Sequence, residues 1–386
     1  MITELENELE LRPASARSVA FIAEVGELED LAGLSKHARV ALDLEADSFH
    51  RYFEKVCLIQ ISSPCEDYLF DPLALGMADP LRRLLEDPAR TIVAHGADFD
   101  VLSLRRDFDL ELGGLFDTMI AARLLGRRQL GLKALLESEL GVEITKSEQR
   151  SDWAERPLSA KQIEYARRDT MYLLPLAERL EDQLRQAGRL EWQREDSDDV
   201  RKRRWVQKTP DPAAFWKLAA PSISDREARA LRAAFEWRDQ DARAANTPPF
   251  RVLSNEGIAE VARIAVRDGV EAVVRLAGRR NMPKSRGRLS RVAEAIARGL
   301  VDTTTLPERP RGERPPRMEA AVERRRNTLR SIRDERAAAL GLEPSVLLTA
   351  ADLDHLAREP PDDLSALAAK VGSWRASELW DRLRVA

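Results

Sequence analysis

The chain has 386 residues, 44% of them hydrophobic and 33% charged, with a formal net charge of −4. That length suggests two or three domains, and the apolar content is enough for several cores. No apolar run approaches the ~18 residues of a helical membrane span, and the presence of only Cys57 and Cys65 excludes a disulfide scaffold or four-cysteine zinc site.

In chain order, the acidic start "MITELENELELRP" lacks the basic residues and apolar stretch of a signal peptide, so a cytoplasmic setting with reduced thiols is expected. "ARVALDLEADSF" (38–49) alternates apolar and polar residues and predicts a strand. "VCLIQISS" (56–63) and "DYLFDP" (67–72) are further short β-rich runs, separated by the turn-like "PCE". "PLRRLLED" (80–87) predicts a helix, "RTIVAHG" (90–96) a strand, and "ADFDVLSLRRDF" (97–108) a helix. Helices are also predicted over 116–125 and 131–140, and one long helix over 159–188, opened by Ser159 and Gln162 at capping-box spacing. The first part is therefore α/β with a mixed sheet.

Strand signals fade from about residue 200. "VRKRRWVQKTPDP" (200–212) predicts a basic linker, and 213–298 predicts helices broken at 245–250 and 281–287. "DTTTLPERPRGERPPR" (302–317) is dense in Pro, Thr and Arg and predicts a linker, followed by a second helical segment of similar size over 318–386. The similar sizes hint at a duplicated module. Charge divides along the same line: residues 1–200 carry 25 Lys+Arg against 40 Asp+Glu, and residues 201–386 carry 37 against 26. An acidic catalytic half beside basic modules suits a polyanionic partner.

The opening strand places Asp43 and Glu45 on one face, roughly 6.5–7 Å apart. Asp98 falls in the first turn of the helix that follows "TIVAHG", at the strand end where α/β folds bind ligands. Tyr165 and Asp169 stand at i and i+4 and share a helix face. Four carboxylates meeting at one sheet edge repel one another unless cations neutralise them. Two divalent metals ~3.5–4 Å apart resolve this and are a common route to phosphodiester hydrolysis. All-oxygen ligands suit Mg²⁺ or Mn²⁺.

"LDLEAD" (42–47), "HGADFDVL" (95–102) and "YARRD" (165–169) resemble the three exonuclease motifs of the DEDD superfamily in its tyrosine-bearing branch. "CLIQIS", "LFDT" and "KSEQRSDWAERPLSAKQIEYARRD" are similar to ribonuclease D. Residues 208–295, through "NTPPFRVLSNEGIAEVAR", and the segment 318–386, through "SVLLTAADLDHLAR" and "GSWRASEL", resemble the helical modules called HRDC.

The resemblance implies a ribonuclease H-like exonuclease domain over 1–200 and two small all-α domains. It implies that Asp43, Glu45, Asp98 and Asp169 bind two metals and that Tyr165 positions the attacking water. In "ADFDVL" either Asp98 or Asp100 could be the ligand, and the family register favours Asp98. Asp47 is expected in a turn, and Asp117 as a supporting or structural acid. The implied activity is removal of single nucleotides from RNA 3′ ends as 5′-monophosphates, on transfer-RNA precursors and other structured small RNAs, by a monomer with no membrane partner. The alternatives are a single-stranded DNA exonuclease, since metals on phosphates ignore the sugar, and an inactive nucleic-acid-binding scaffold, against which the full set of acids argues. "GRRNMPKS" (278–285) imitates a P-loop, but Pro283 stands where its second Gly belongs and has no N–H for a phosphate.

Overall fold

The computed structural model describes residues 17–144, 148–207, 209–310 and 319–384. The acidic start, positions 145–147 of the ribonuclease D-like stretch, Lys208 and residues 311–317 of the 302–317 linker lie outside the described residues.

The chain packs as two units. The first is built on a six-stranded sheet, with strands β1 (Ser18–Ile22), β2 (Arg39–Ala46), β3 (Val56–Ser62), β4 (Glu66–Phe70), β5 (Thr91–Ala94) and β6 (Leu115–Asp117) in the order β1-β4-β3-β2-β5-β6. Pairs β2/β3 and β3/β4 are antiparallel, whereas β1/β4, β2/β5 and β5/β6 are parallel. The expected mixed sheet is therefore present, with β1 and β6 added at its edges. Between and after the strands come α1 (Pro72–Leu75), α2 (Asp79–Glu86), α3 (Asp98–Phe108), α4 (Thr118–Leu124), α5 (Leu132–Leu135), α6 (Ala160–Thr170), α7 (Leu173–Gln186) and α8 (Leu190–Arg201).

The helix expected over 131–140 is α5 continued by a π-helix over Leu136–Leu140, α8 was not expected, and two further helices differ in their bounds. The helix expected over 116–125 begins only at Thr118, because Leu115–Asp117 pairs with β5 as an edge strand. The long helix expected over 159–188 is broken at Met171 and Tyr172. Pro175 explains the break: it lacks the N–H that would reach Met171, and its ring collides with that carbonyl if the helix continues. In the first turn of a new helix the same Pro is harmless. The predicted capping box is present: the Ser159 hydroxyl accepts from the Gln162 N–H at 3.3 Å, and Gln162 Oε1 accepts from the Ser159 N–H at 3.0 Å.

The first unit also contains α14 (Ala320–Leu340), α15 (Pro344–Leu347), α16 (Ala350–Arg358), α17 (Leu364–Val371) and α18 (Ser373–Leu383). Their apolar faces are continuous with the core of the sheet domain, through Leu329, Ala337, Leu347 and Leu379 among others. Polar contacts fix the docking. Asp196 on α8 accepts from Arg375 at 2.7 and 2.9 Å and from Trp374 Nε1 at 2.9 Å, and Trp374 stacks on Trp192 with ring centroids 4.4 Å apart. The Arg189 guanidinium donates to the Leu124 carbonyl at 2.7 Å and the Leu340 carbonyl at 2.6 Å, so one cation caps the C-terminal ends of α4 and α14. Gly126, with φ +73°, lies so close to the Gly341 carbonyl that a Cβ would sit 2.3 Å from its oxygen.

The second unit consists of residues 206–316 and the excursion 47–55 between β2 and β3. Its helices are α9 (Asp225–Ala244), α10 (Pro249–Val252), α11 (Asn255–Asp268), α12 (Glu271–Val274) and α13 (Arg286–Val301), around a separate apolar core. The excursion is held there by Tyr52. Its hydroxyl donates to Asp239 at 2.7 Å and accepts from Arg243 at 3.0 Å, while the N–H groups of Tyr52 and Phe53 both reach Asn246 Oδ1 at 3.1 Å. Both helical modules run in the same order: a long helix, a one-turn helix opened by Pro (α10, α15), then a helix capped by Ser254 or Thr349.

Candidate active site

Strand β2 carries the first two acids. Asp43 lies opposite Gln60 of β3 and Glu45 opposite Leu58, so both side chains face the side of the sheet covered by α6. That helix is laid on β3 by Leu58, Leu69, Trp153, Leu158 and Ala166, an apolar patch on which Tyr165 also packs. One turn on, Thr170 Oγ1 meets Ser62 Oγ at 2.7 Å and pins the end of α6 to β3. The patch and the pin together deliver Asp169 to the two strand acids. One carboxylate oxygen from each of Asp43, Glu45 and Asp169 lies within 4.8 Å of the others.

Three carboxylates this close, in a partly buried setting, disfavour their own ionisation. Asp43 is pushed well above the usual carboxylate range by burial and then by the charges of Asp100, Asp169 and Glu45. Glu45 is raised in the same way, by burial and by Asp169 and Asp100. The Tyr165 hydroxyl is likewise raised, first by burial and then by Asp169, to which it donates a hydrogen bond, and by Glu45. Tyr165 therefore stays protonated and can act only as a donor or a neutral acceptor.

The fourth acid is where the structure parts from the expectation. It does not bring Asp98 to these groups: the Asp98 carboxylate, 46% exposed, is ion-paired with the Arg203 guanidinium. Asp100, two residues on, is buried beside Val101 and Leu104 on the inner face of α3. It is the charge that acts on both Asp43 and Glu45, and its own carboxyl is pushed up to about 7 by burial and by Asp117. The signal was in the helical period. Val101 and Leu104 mark the buried face of "DFDVLSL", and Asp100 shares it, whereas Asp98 is ~200° round the helix from Asp100.

The other expected acids are accounted for. Asp117 is fully buried and caps α4, accepting from the N–H groups of Met119 and Ile120 at 2.8 and 3.3 Å. The same carboxylate accepts from Gly96 at 3.0 Å and Ala97 at 2.8 Å, which fixes the turn from which α3 starts. Asp47 accepts from the Lys55 N–H at 2.8 Å and closes the excursion as a turn residue. Gln60, not singled out in the sequence, lies within the site wall and is fully buried.

No metal ion is needed to see what the site fits. The donors are all oxygen, they are mutually repulsive, and their raised proton affinities mark a place that cations would neutralise.

Comparison with known proteins agrees. Residues 21–185 match the family described as a 3′-5′ exonuclease, and residues 227–286 match the HRDC domain. The chain is 33% identical over 367 residues to ribonuclease D of Gluconacetobacter diazotrophicus, covering 92% of this chain and 89% of that protein. The catalytic core of RRP6 from Trypanosoma brucei superimposes with a TM-score of 0.68 at 26% identity, over 76% of this chain and 84% of that one. Escherichia coli RNase D, described as an exoribonuclease involved in structured RNA processing, shares the fold with a TM-score of 0.63 at 24% identity, over 95% and 98% of the two chains. The strand acids, the α6 tyrosine and aspartate and this likeness over almost the whole chain lead to one conclusion: the protein belongs to the ribonuclease D family of metal-dependent 3′→5′ exoribonucleases.

Proposed function

We propose that Asp43, Glu45, Asp100 and Asp169 hold two divalent cations, Mg²⁺ or Mn²⁺, and that this site trims RNA 3′ ends one nucleotide at a time, releasing 5′-monophosphates. The observation that carries the reading is the meeting of three carboxylate oxygens within 4.8 Å, with Asp100 buried behind them and acting on two of them. When bound, the cations would supply charge that stabilises the attacking and leaving oxygens of an in-line displacement. The residues do the rest. Asp43 and Glu45, on a rigid central strand, set the position of the scissile phosphate. Tyr165, kept protonated by its surroundings, holds the attacking water in line. Asp169 orients that tyrosine through their hydrogen bond.

Transfer-RNA precursors and other structured small RNAs are the proposed substrates, handled by a monomer in the cytoplasm. Support comes from the family and from the surplus of Lys and Arg over residues 201–386, whose phosphate contacts would position the RNA body. The test is digestion of matched RNA and DNA with short 3′ tails, with Mg²⁺, with Mn²⁺ and with chelator. A ladder shortening by single nucleotides, 5′-monophosphate product, preference for RNA and loss under chelator are expected. Internal cutting or activity in chelator overturns the reading.

A further inference from the structure

Gln60 sits in the middle of β3 at 0% exposure, and neither its Nε2 nor its Oε1 has a hydrogen-bond partner among the described residues. A buried amide with both ends unpaired is costly, and such a group in a well-packed core calls for an explanation. Two polar neighbours on this face are satisfied: Ser62 bonds Asp67 at 2.8 Å as well as Thr170, and Asp67 accepts from Arg17 and Arg167.

The surroundings of Gln60 are defined by register. Across one side lies Asp43, its direct antiparallel partner; across the other lies Leu69, which offers no polar atom. Along β3 its same-face neighbours are Leu58, packed with Ala166 and near Tyr165, and Ser62, bonded to Thr170. Gln60 therefore lies beside Asp43 on the face of the sheet covered by the last turns of α6. Direct cross-strand partners have Cβ atoms ~4.5–5.5 Å apart, within reach of a Gln side chain.

We propose that the Gln60 carboxamide is a positioning residue for the metal centre: it makes no hydrogen bond to Asp43 here, and its Nε2–H is placed to donate to the Asp43 carboxylate, fixing its orientation, once a divalent cation draws that group into place. The chemistry suits the place. An amide donates to a carboxylate without adding a charge, so it can steer Asp43 without competing with the cation for it, as a Lys or Arg would. The proposal rests on the metal reading of the site given above. Groups that orient a ligand in this way typically change metal affinity by ~10–100-fold when removed.

The experiment uses the full chain and Mn²⁺ alone, with free Mn²⁺ counted by electron paramagnetic resonance and unfolding followed in chelator. Gln60→Met keeps the length of the side chain and removes both polar atoms; Gln60→Leu is the second variant should the first fail to fold. The expected result is an unfolding temperature in chelator equal to or above that of the parent, with Mn²⁺ affinity weaker by about tenfold or more. Asp43→Asn should weaken it further. An affinity within twofold of the parent in a folded variant overturns the proposal, as does a lower unfolding temperature with unchanged affinity, which would make Gln60 only a filler. If Asp43→Asn too binds Mn²⁺ like the parent, the metal reading itself falls, and the proposal with it.

Discussion

Asp98 and Asp100 are two residues apart and chemically alike, yet they have opposite surroundings. Asp98 is half exposed and neutralised by Arg203; Asp100 is buried among apolar groups, with other acids as its electrostatic neighbours. Asp100→Asn should lower turnover by ~10³-fold, in line with the several kcal/mol a metal contributes to charge stabilisation. Asp98→Asn should stay within about tenfold of the parent; single-nucleotide release from a labelled RNA measures both, and the reverse order would return the ligand role to Asp98. Tyr165→Phe removes one positioning hydrogen bond and should cost ~10²–10³-fold in kcat with RNA affinity unchanged. A loss of affinity with kcat preserved would make it a binding residue. The pH behaviour follows from the same burial. In chelated protein Asp100 titrates near 7, above the ~3.9 of an unfolded aspartate, so between these values the folded state keeps a proton that the unfolded chain has lost. The contribution of Asp100 to stability should be greatest below about pH 4 and fall as pH rises towards about 7. Thermal unfolding against pH in chelator, compared between parent and Asp100→Asn, should show a smaller fall between these values in the variant, with Asp43 and Glu45 supplying the remainder.

At the scale of elements, most of the catalytic architecture was legible because periodicity is strong there. Strands β2, β3, β4 and β5 and helices α2, α3 and α6 follow from alternation or helical spacing. The misses have separate causes. β6 has three residues, too few for any period, and owes its conformation to pairing with β5. β1 is five residues long and is likewise set by its partner, β4. The break between α6 and α7 was available in Pro175, and the burial of Asp100 in the helical period of α3. The docking of α18 on α8 was not available, because it depends on which distant polar groups meet. Asp196 accepts from both Arg375 and Trp374 with its side chain 14% exposed. Asp196→Ala leaves both donors without that acceptor and should destabilise the first unit by ~1–3 kcal/mol. Urea unfolding should show it, and an unchanged midpoint would mean that the apolar contacts alone hold the docking.

For the whole molecule, the charge division overstates how many basic groups are available to RNA. Arg201 pairs with Glu111 and Asp198, and Arg203 with Asp98. Arg288 and Arg291 share Asp241, Arg309 donates to the carbonyls of Ala220 and Pro221, and Arg325 donates to that of Ala357. Several basic runs that suggested a polyanion surface thus also serve as internal fasteners, a distinction that a count of charges does not make.

The shared core of the sheet domain and α14–α18 has a consequence for biosynthesis. The catalytic strands leave the ribosome early, but the helices that complete their core are encoded after the whole of the second unit. Until they arrive, the nascent chain shows apolar surface around Trp192 and leaves the Arg189 staple half made. Closing so long a loop is slow relative to local folding. A chain that ends before α14 should therefore expose the apolar surface these helices cover and open more readily than the parent. A chain stopped at residue 318 should be cut by a nonspecific protease at least tenfold faster than the parent in pulse proteolysis. Equal resistance would mean that the sheet domain finishes its folding unaided.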